Sequence, residues 1–178
     1  MSAKHPRLVA LAITFSAIAA HARAQEDPTI AAMFLKQASL ACKDQSVDEF
    51  FDAFIQSAAV RKAYSRDTLE IVTNSDSGGL VTTVDAESYD AFPLAIFDYY
   101  YTTAQGVDEN GYTHVLIEKN QSSDNRLRID WVRVTYDGNS EGGDDPGAIV
   151  EQGAEPGNLL FYPTDECWEL IRVETTLP

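Results

Sequence analysis

SVDEFFDAFIQSA, Ser46 to Ala58, is the stretch on which the reading of the fold turns. Val47, Phe50, Phe51, Phe54, Ile55 and Ala58 recur at i, i+3, i+4, i+7, i+8 and i+11, a spacing that places them on one face of an α-helix. Ser46 with Glu49 three residues later is a capping box at the helix start. An aromatic stripe that broad needs an apolar surface to cover it. Upstream, Asp27 followed by Pro28 opens a shorter amphipathic helix to about Leu40, with Ile30, Met33, Phe34, Gln37 and Ala41 along one side. Downstream, a basic continuation, RKAYSR, ends near Ser65.

From there the apolar period falls from 3.6 to 2. Thr68–Thr73 and Leu80–Asp85 are rich in Val, Ile, Thr and Leu, and NSDSGG between them is turn chemistry, so the pair reads as a hairpin. SYDAFPLAIFDYYYTT fits either a helix beginning at Pro93 or alternating strand, with strand favoured in its second half. YTHVLIEKNQSSDNRLRIDWVRVTY is a long hairpin turning at Gln121–Asn125. In its second arm Leu127, Ile129 and Trp131 are apolar at odd positions, then Val132, Val134 and Tyr136 at even ones. That change of face calls for a bulge or bend near Trp131, or a strand buried on both sides there. NLLFY and CWELIRVET are the closing strands, Ile171 and Val173 alternating with Arg172 and Glu174 in the second.

The chain begins with Lys4, His5 and Arg7, an apolar run from Leu8 to Ala20, and small residues at Ala22 and Ala24, the pattern of a cleaved secretory signal over residues 1–24. A 13-residue run is shorter than the about 20 residues that span a bilayer. Residues 25–178 are then one exported domain, soluble in the periplasm or outside the cell and without membrane insertion. Losing Lys4, Arg7 and Arg23 takes the formal net charge from −15 to −18. A field of that sign disfavours nucleic acid and anionic lipid as partners. The two cysteines, Cys42 and Cys167, enter an oxidising compartment and are expected to pair.

Chemical motifs are sparse. DSGG at Asp76–Gly79 imitates the surroundings of a protease nucleophile, but such chemistry needs a histidine base placed earlier in the chain. After residue 24 the single histidine is His114, which follows Ser77, so the stretch reads as a turn. One histidine and a paired cysteine couple are too few ligands for zinc or copper, and no metal or cofactor is expected. Asp137, Asn139, Glu141 and Gly142 match positions 1, 3, 5 and 6 of a calcium-binding EF-hand loop. Position 12 is Ala148 where a bidentate glutamate belongs, so the acidic segment reads as a mobile connection. Its acids, Asp137, Glu141, Asp144 and Asp145, are candidates for contact with a partner. Tyr99, Tyr101 and Trp131 are candidates for lining a ligand pocket, alongside Asp98 and Asp130.

Two helices, a hairpin, an irregular segment and long strands ending in CWELIRVE resemble the nuclear transport factor 2-like superfamily, in particular its small exported bacterial members. The resemblance rests on VDEFFDAFIQS, FPL before the middle strands, and CW followed by alternating apolar residues, over about Asp44 to Thr175. It implies an α+β fold in which N-terminal helices pack on a curved antiparallel sheet, forming a cone whose mouth serves some relatives as a ligand pocket. The expected function is binding, of a small apolar ligand or a protein, without catalytic residues. A lyase or isomerase using a carboxylate and tyrosine in the cavity is one alternative. An acidic immunity-type inhibitor of a basic toxin is the other.

Overall fold

A computed structural model describes residues 26–97, 99–108, 111–139 and 146–176. Three helices, α1 (Pro28–Asp44), α2 (Val47–Gln56) and α3 (Ala58–Ala63), precede nine strands: β1 (Ser65–Ser75), β2 (Gly78–Asp85), β3 (Leu94–Phe97), β4 (Tyr100–Asp108), β5 (Gly111–Gln121), β6 (Leu127–Tyr136), β7 (Ile149–Gln152), β8 (Gly157–Pro163) and β9 (Trp168–Thr176). The strands form one strongly curled sheet in the order β2-β1-β9-β8-β6-β5-β4-β3, with β7 also paired to β6. The helices pack on it. Every pairing is antiparallel except β1 with β9, so the sheet is mixed. The strand alternation that marks these segments carries no information about that one direction.

The apolar stripe of α2 sits at the centre of the core. Phe50, Phe51 and Phe54 are fully buried. Phe50 alone meets Phe54, Tyr64, Phe161 and Trp168 at ring-centroid separations of 5.9, 5.5, 5.9 and 5.3 Å. The face that receives it is a cross-strand row, Ile71–Val173–Leu159–Ile129, whose members are paired neighbours on β1, β9, β8 and β6. The start of α2 differs from the capping-box reading: Ser46 is at the cap position, but its hydroxyl makes no capping bond. Asp48 and Glu49 in the first turn supply the negative charge that suits that end of the helix. At the other end the buried Ser57 breaks the helix and restarts it, its Oγ accepting from Val60 N at 3.2 Å. Arg61 turns back to donate to the carbonyls of Phe54 and Ile55, at 3.2 and 2.6 Å, and so closes the end of α2.

Helix α1 starts as expected, with Asp27 accepting from Thr29 N and Ile30 N, but runs on to Asp44. Its buried side is Ala38, Ala41 and Cys42; Ile30, Met33 and Leu40 are exposed, a rotation from the face read in the sequence. The extra turn brings Cys42 to Cys167, and the two form a disulfide with Cα atoms 4.9 Å apart.

Two of the sheet's irregularities bear on the core and the cavity wall. Strand β6 runs unbroken against β5, with Trp131 buried on the concave face and Val134 buried on the convex one. The strand is therefore covered on both sides where its apolar pattern changes. Its other neighbour carries the bulge: β8 pairs Leu127–Trp131 and β7 pairs Val134–Tyr136, leaving Gly153–Pro156 opposite Val132 and Arg133. A second bulge, between Leu160 and Phe161 of β8, shifts the phase of β9. Leu170 and Val173 are consequently the buried pair, and Ile171 is only half-buried.

Candidate functional site

The curled sheet has a cavity of about 680 Å³, the mouth cavity, between its concave face and the segment Tyr89–Pro93. Ile71 and Thr73 of β1, Thr103 of β4, Trp131 of β6 and Thr175 of β9 form its walls, with Phe92 across them. Phe92 is held by a stack beneath the Arg61 guanidinium, 5.0 Å from the ring centroid, and by an edge contact with Phe54. Burial raises the Tyr89 phenol to about 12, so it stays protonated, donating to Ala91 O at 3.0 Å and bracing the same segment.

Trp131 is the distinctive wall. Its indole lies flat over Gly157, the residue paired with it on β8; a Cβ there would come within 2.2 Å of the ring. Only glycine permits that approach. The Nε1–H donor is buried and has no acceptor among the described residues. An unmet buried donor of this kind costs about 1–3 kcal/mol, and the cost is recovered when a partner supplies an acceptor.

The other residues singled out in the sequence are scattered. Tyr99 stands at the β3–β4 turn, 89 % exposed, with φ of 71°. Tyr101 lies under α2, 6.0 Å from the Phe51 ring, where its hydroxyl donates to Asp52 Oδ1 at 2.5 Å and accepts from Lys119 Nζ at 3.2 Å. Lys119 also meets Asp48 at 2.6 Å. Burial first, then the Asp52 hydrogen bond and charge, push the Tyr101 phenol well above its ordinary value. A carboxylate and a tyrosine thus meet, but they line neither the mouth cavity nor the two other large ones, and they tie α2 to β4 and β5. Asp130, next to Trp131, faces the convex side, where Arg128 and Asn120 hold it. Asp98 lies outside the described residues.

Of the acidic segment, Glu141, Asp144 and Asp145 lie outside the described residues; Asp137 and its surroundings are within them. The Asp137 carboxylate accepts from Asn139 N, Ala148 N and Asn139 Nδ2 at 2.9, 3.1 and 3.2 Å. The Asn139 bonds chiefly hold its pKa below the usual carboxylate value. With Asp137 N donating to Ala148 O at 2.9 Å, the first and twelfth positions of the calcium-like pattern are joined by hydrogen bonds. Sequence reasoning missed the two partners that give Tyr101 its setting, Asp52 and Lys119, because they lie 49 and 18 residues from it. It also missed Thr73, Phe92 and Thr175, whose only signal was an ordinary strand or loop composition.

No protein-family model matches the chain, and no curated protein matches it. Among solved structures, a DUF4783 family protein from Bacteroides ovatus superposes with a TM-score of 0.36 at 7 % identity, over 71 % of this chain and 91 % of its own. One from Bacteroides fragilis gives 0.37 at 4 % identity, over 72 % and 95 %. An NTF2-like protein of unknown function from Pseudomonas putida gives 0.31 at 10 % identity, over 83 % of both chains. The layout itself is helices packed on one strongly curled mixed sheet. The fold is α+β.

Proposed function

We propose that this chain is an exported binding protein whose ligand occupies the mouth of the cone: a small, largely apolar molecule carrying one hydrogen-bond acceptor. The observation that carries the reading is Trp131, a buried indole on the wall of the 680 Å³ cavity with an unmet N–H donor. A volume of that size suits a small organic ligand. The remaining walls, Ile71, Phe92 and the threonines, offer apolar surface with scattered hydroxyls and no positive charge besides Arg133, which Glu155 engages at 3.3 Å. Neutral ligands therefore fit better than anions. The disulfide and the secretory pattern of residues 1–24 support export; among the described residues no helix is long and apolar enough to cross a membrane.

The test uses the neutral fluorescent probe N-phenyl-1-naphthylamine with wild-type protein and with Thr73→Trp, which fills the mouth from a half-buried strand position. Probe binding should fall at least about tenfold in the variant, a change of about 1.4 kcal/mol. Equal binding by a folded Thr73→Trp protein would remove the cone as the site. The lyase alternative ranks lower, because Asp52 and Tyr101 meet outside these cavities.

A further inference from the structure

A second cavity, about 790 Å³, lies over His114 and Val134 and reaches round the β7 end of β6, where Arg133, Thr135 and Glu151 also line it. Across three adjacent strands stand Tyr100, His114 and Tyr136, the two tyrosine rings nearly perpendicular to the imidazole at centroid separations of 5.2 and 5.4 Å. Val134, buried to 6 % exposure yet outside the main core, forms the floor. The row has no role in the core that α2 fills. His114 Nδ1 is buried there and has no partner among the described residues.

The charges on this cavity are unbalanced. Arg133 is the one basic residue among its described lining, and Glu155 already engages it. Glu151 lines the same cavity and is exposed, with no cation from the described residues beside it. The whole chain adds a formal charge of −15. An anionic ligand would enter against that field, whereas a cation gains from it and from the negative faces of the tyrosine rings. With the imidazole proton on Nε2, Nδ1 is an acceptor without a donor.

We propose that this face is a second ligand site, taking a small organic cation, a primary ammonium group on an aromatic or aliphatic body. The ammonium donates to His114 Nδ1 and balances Glu151, while its body packs against Tyr100, Tyr136 and Val134. Arg133 lines both cavities; Trp131 and Thr73 line only the cone, and Tyr100, His114 and Tyr136 line only this one.

Calorimetric titration of the full chain with phenethylammonium, neutral 2-phenylethanol and anionic 3-phenylpropanoate tests the proposal. The ammonium should bind at least about tenfold more tightly than the alcohol, the carboxylate should bind weakest, and added salt should narrow the gap. Glu151→Gln and His114→Phe should each weaken ammonium binding about tenfold, and Thr73→Trp, which fills the cone, should leave it unchanged. Glu151 lies on an exposed strand, so its variant carries the test if circular dichroism shows His114→Phe unfolded. Equal binding of ammonium and alcohol, insensitivity to Glu151→Gln, loss on Thr73→Trp, or no ammonium binding up to about 10 mM would each overturn the proposal.

Discussion

Breaking the Cys42–Cys167 disulfide should be among the most damaging single changes that leave the core side chains in place. The bond spans a sequence separation of 125 residues, tying the end of α1 to the turn that feeds β9. In the chain-entropy treatment, a loop of that length removes about 16 to 17 cal/mol/K from the unfolded ensemble, or about 5 kcal/mol at 25 °C. For a domain of this size, with a urea m-value of about 2 kcal/mol/M, the unfolding midpoint should drop by about 2.5 M on reduction. Trp168, fully buried beside Cys167 in sequence and against Phe50 in space, is a fluorescent reporter of the same region. Parallel urea titrations of oxidised and reduced protein at one pH, together with a Cys42→Ala/Cys167→Ala double variant, measure the loss. A midpoint change below about 0.5 M, at an unchanged m-value, would show that the long loop contributes little and would refute the entropic reasoning.

Phe50→Ala removes the ring at the centre of four others and should cost about 3 to 5 kcal/mol, read as a lowered urea midpoint. Gly157→Ala drives a methyl into the Trp131 indole; a loss of about 1 to 3 kcal/mol and altered Trp fluorescence should follow, and an unperturbed variant would mean the indole does not lie over β8. Tyr101→Phe removes the hydroxyl shared by Asp52 and Lys119 and should cost about 1 to 3 kcal/mol, with little further loss when Asp52→Asn is added. Tyr101 and Tyr89 both have raised phenol pKa values in the fold, so their contribution is complete below pH 10 and is lost as pH rises above it. Stability should therefore fall between pH 10 and 12, measured by denaturation at fixed pH, and Tyr101→Phe should flatten that slope.

The helical layer was legible in the sequence because its signals are local. The stripe from Val47 to Ala58 and the Asp27-Pro28 start each declare themselves within a few residues, and both helices form there. The disulfide was legible because two cysteines admit one pairing. The ambiguous segment around Pro93 resolved into a tight hairpin, β3 and β4, in which Phe97 pairs with Tyr100 and Ile96 with Tyr101, so the turn puts Tyr101 on the face opposite Ala95 and Phe97. What stayed hidden is non-local. The bulge at Gly153–Pro156 lies in a stretch whose glycine and proline read as loop, and β7 lies within that same loop-like region. The phase of β9 depends on a bulge formed with β8, which no alternation inside CWELIRVET reveals. The candidate pocket residues shared an aromatic composition, and only the strand register separates Trp131 on the cavity wall from Tyr101 beneath α2 and Tyr99 in solvent.

The parallel pairing of β1 with β9 sets an order of assembly. In a chain made from its N-terminus, the β1–β2 hairpin emerges early, yet its only neighbour in the sheet beyond itself is the strand that emerges last among those described. Until residues 168–176 arrive, the hairpin has no seat, the face awaiting Phe50 lacks Trp168 and Leu170, and Cys42 lacks its partner. Folding by halves is thereby discouraged, because every early element depends on one late one. The strand that seats the first hairpin, completes the cover of Phe50 and lies next to the second cysteine is thus one and the same, the last described in the chain.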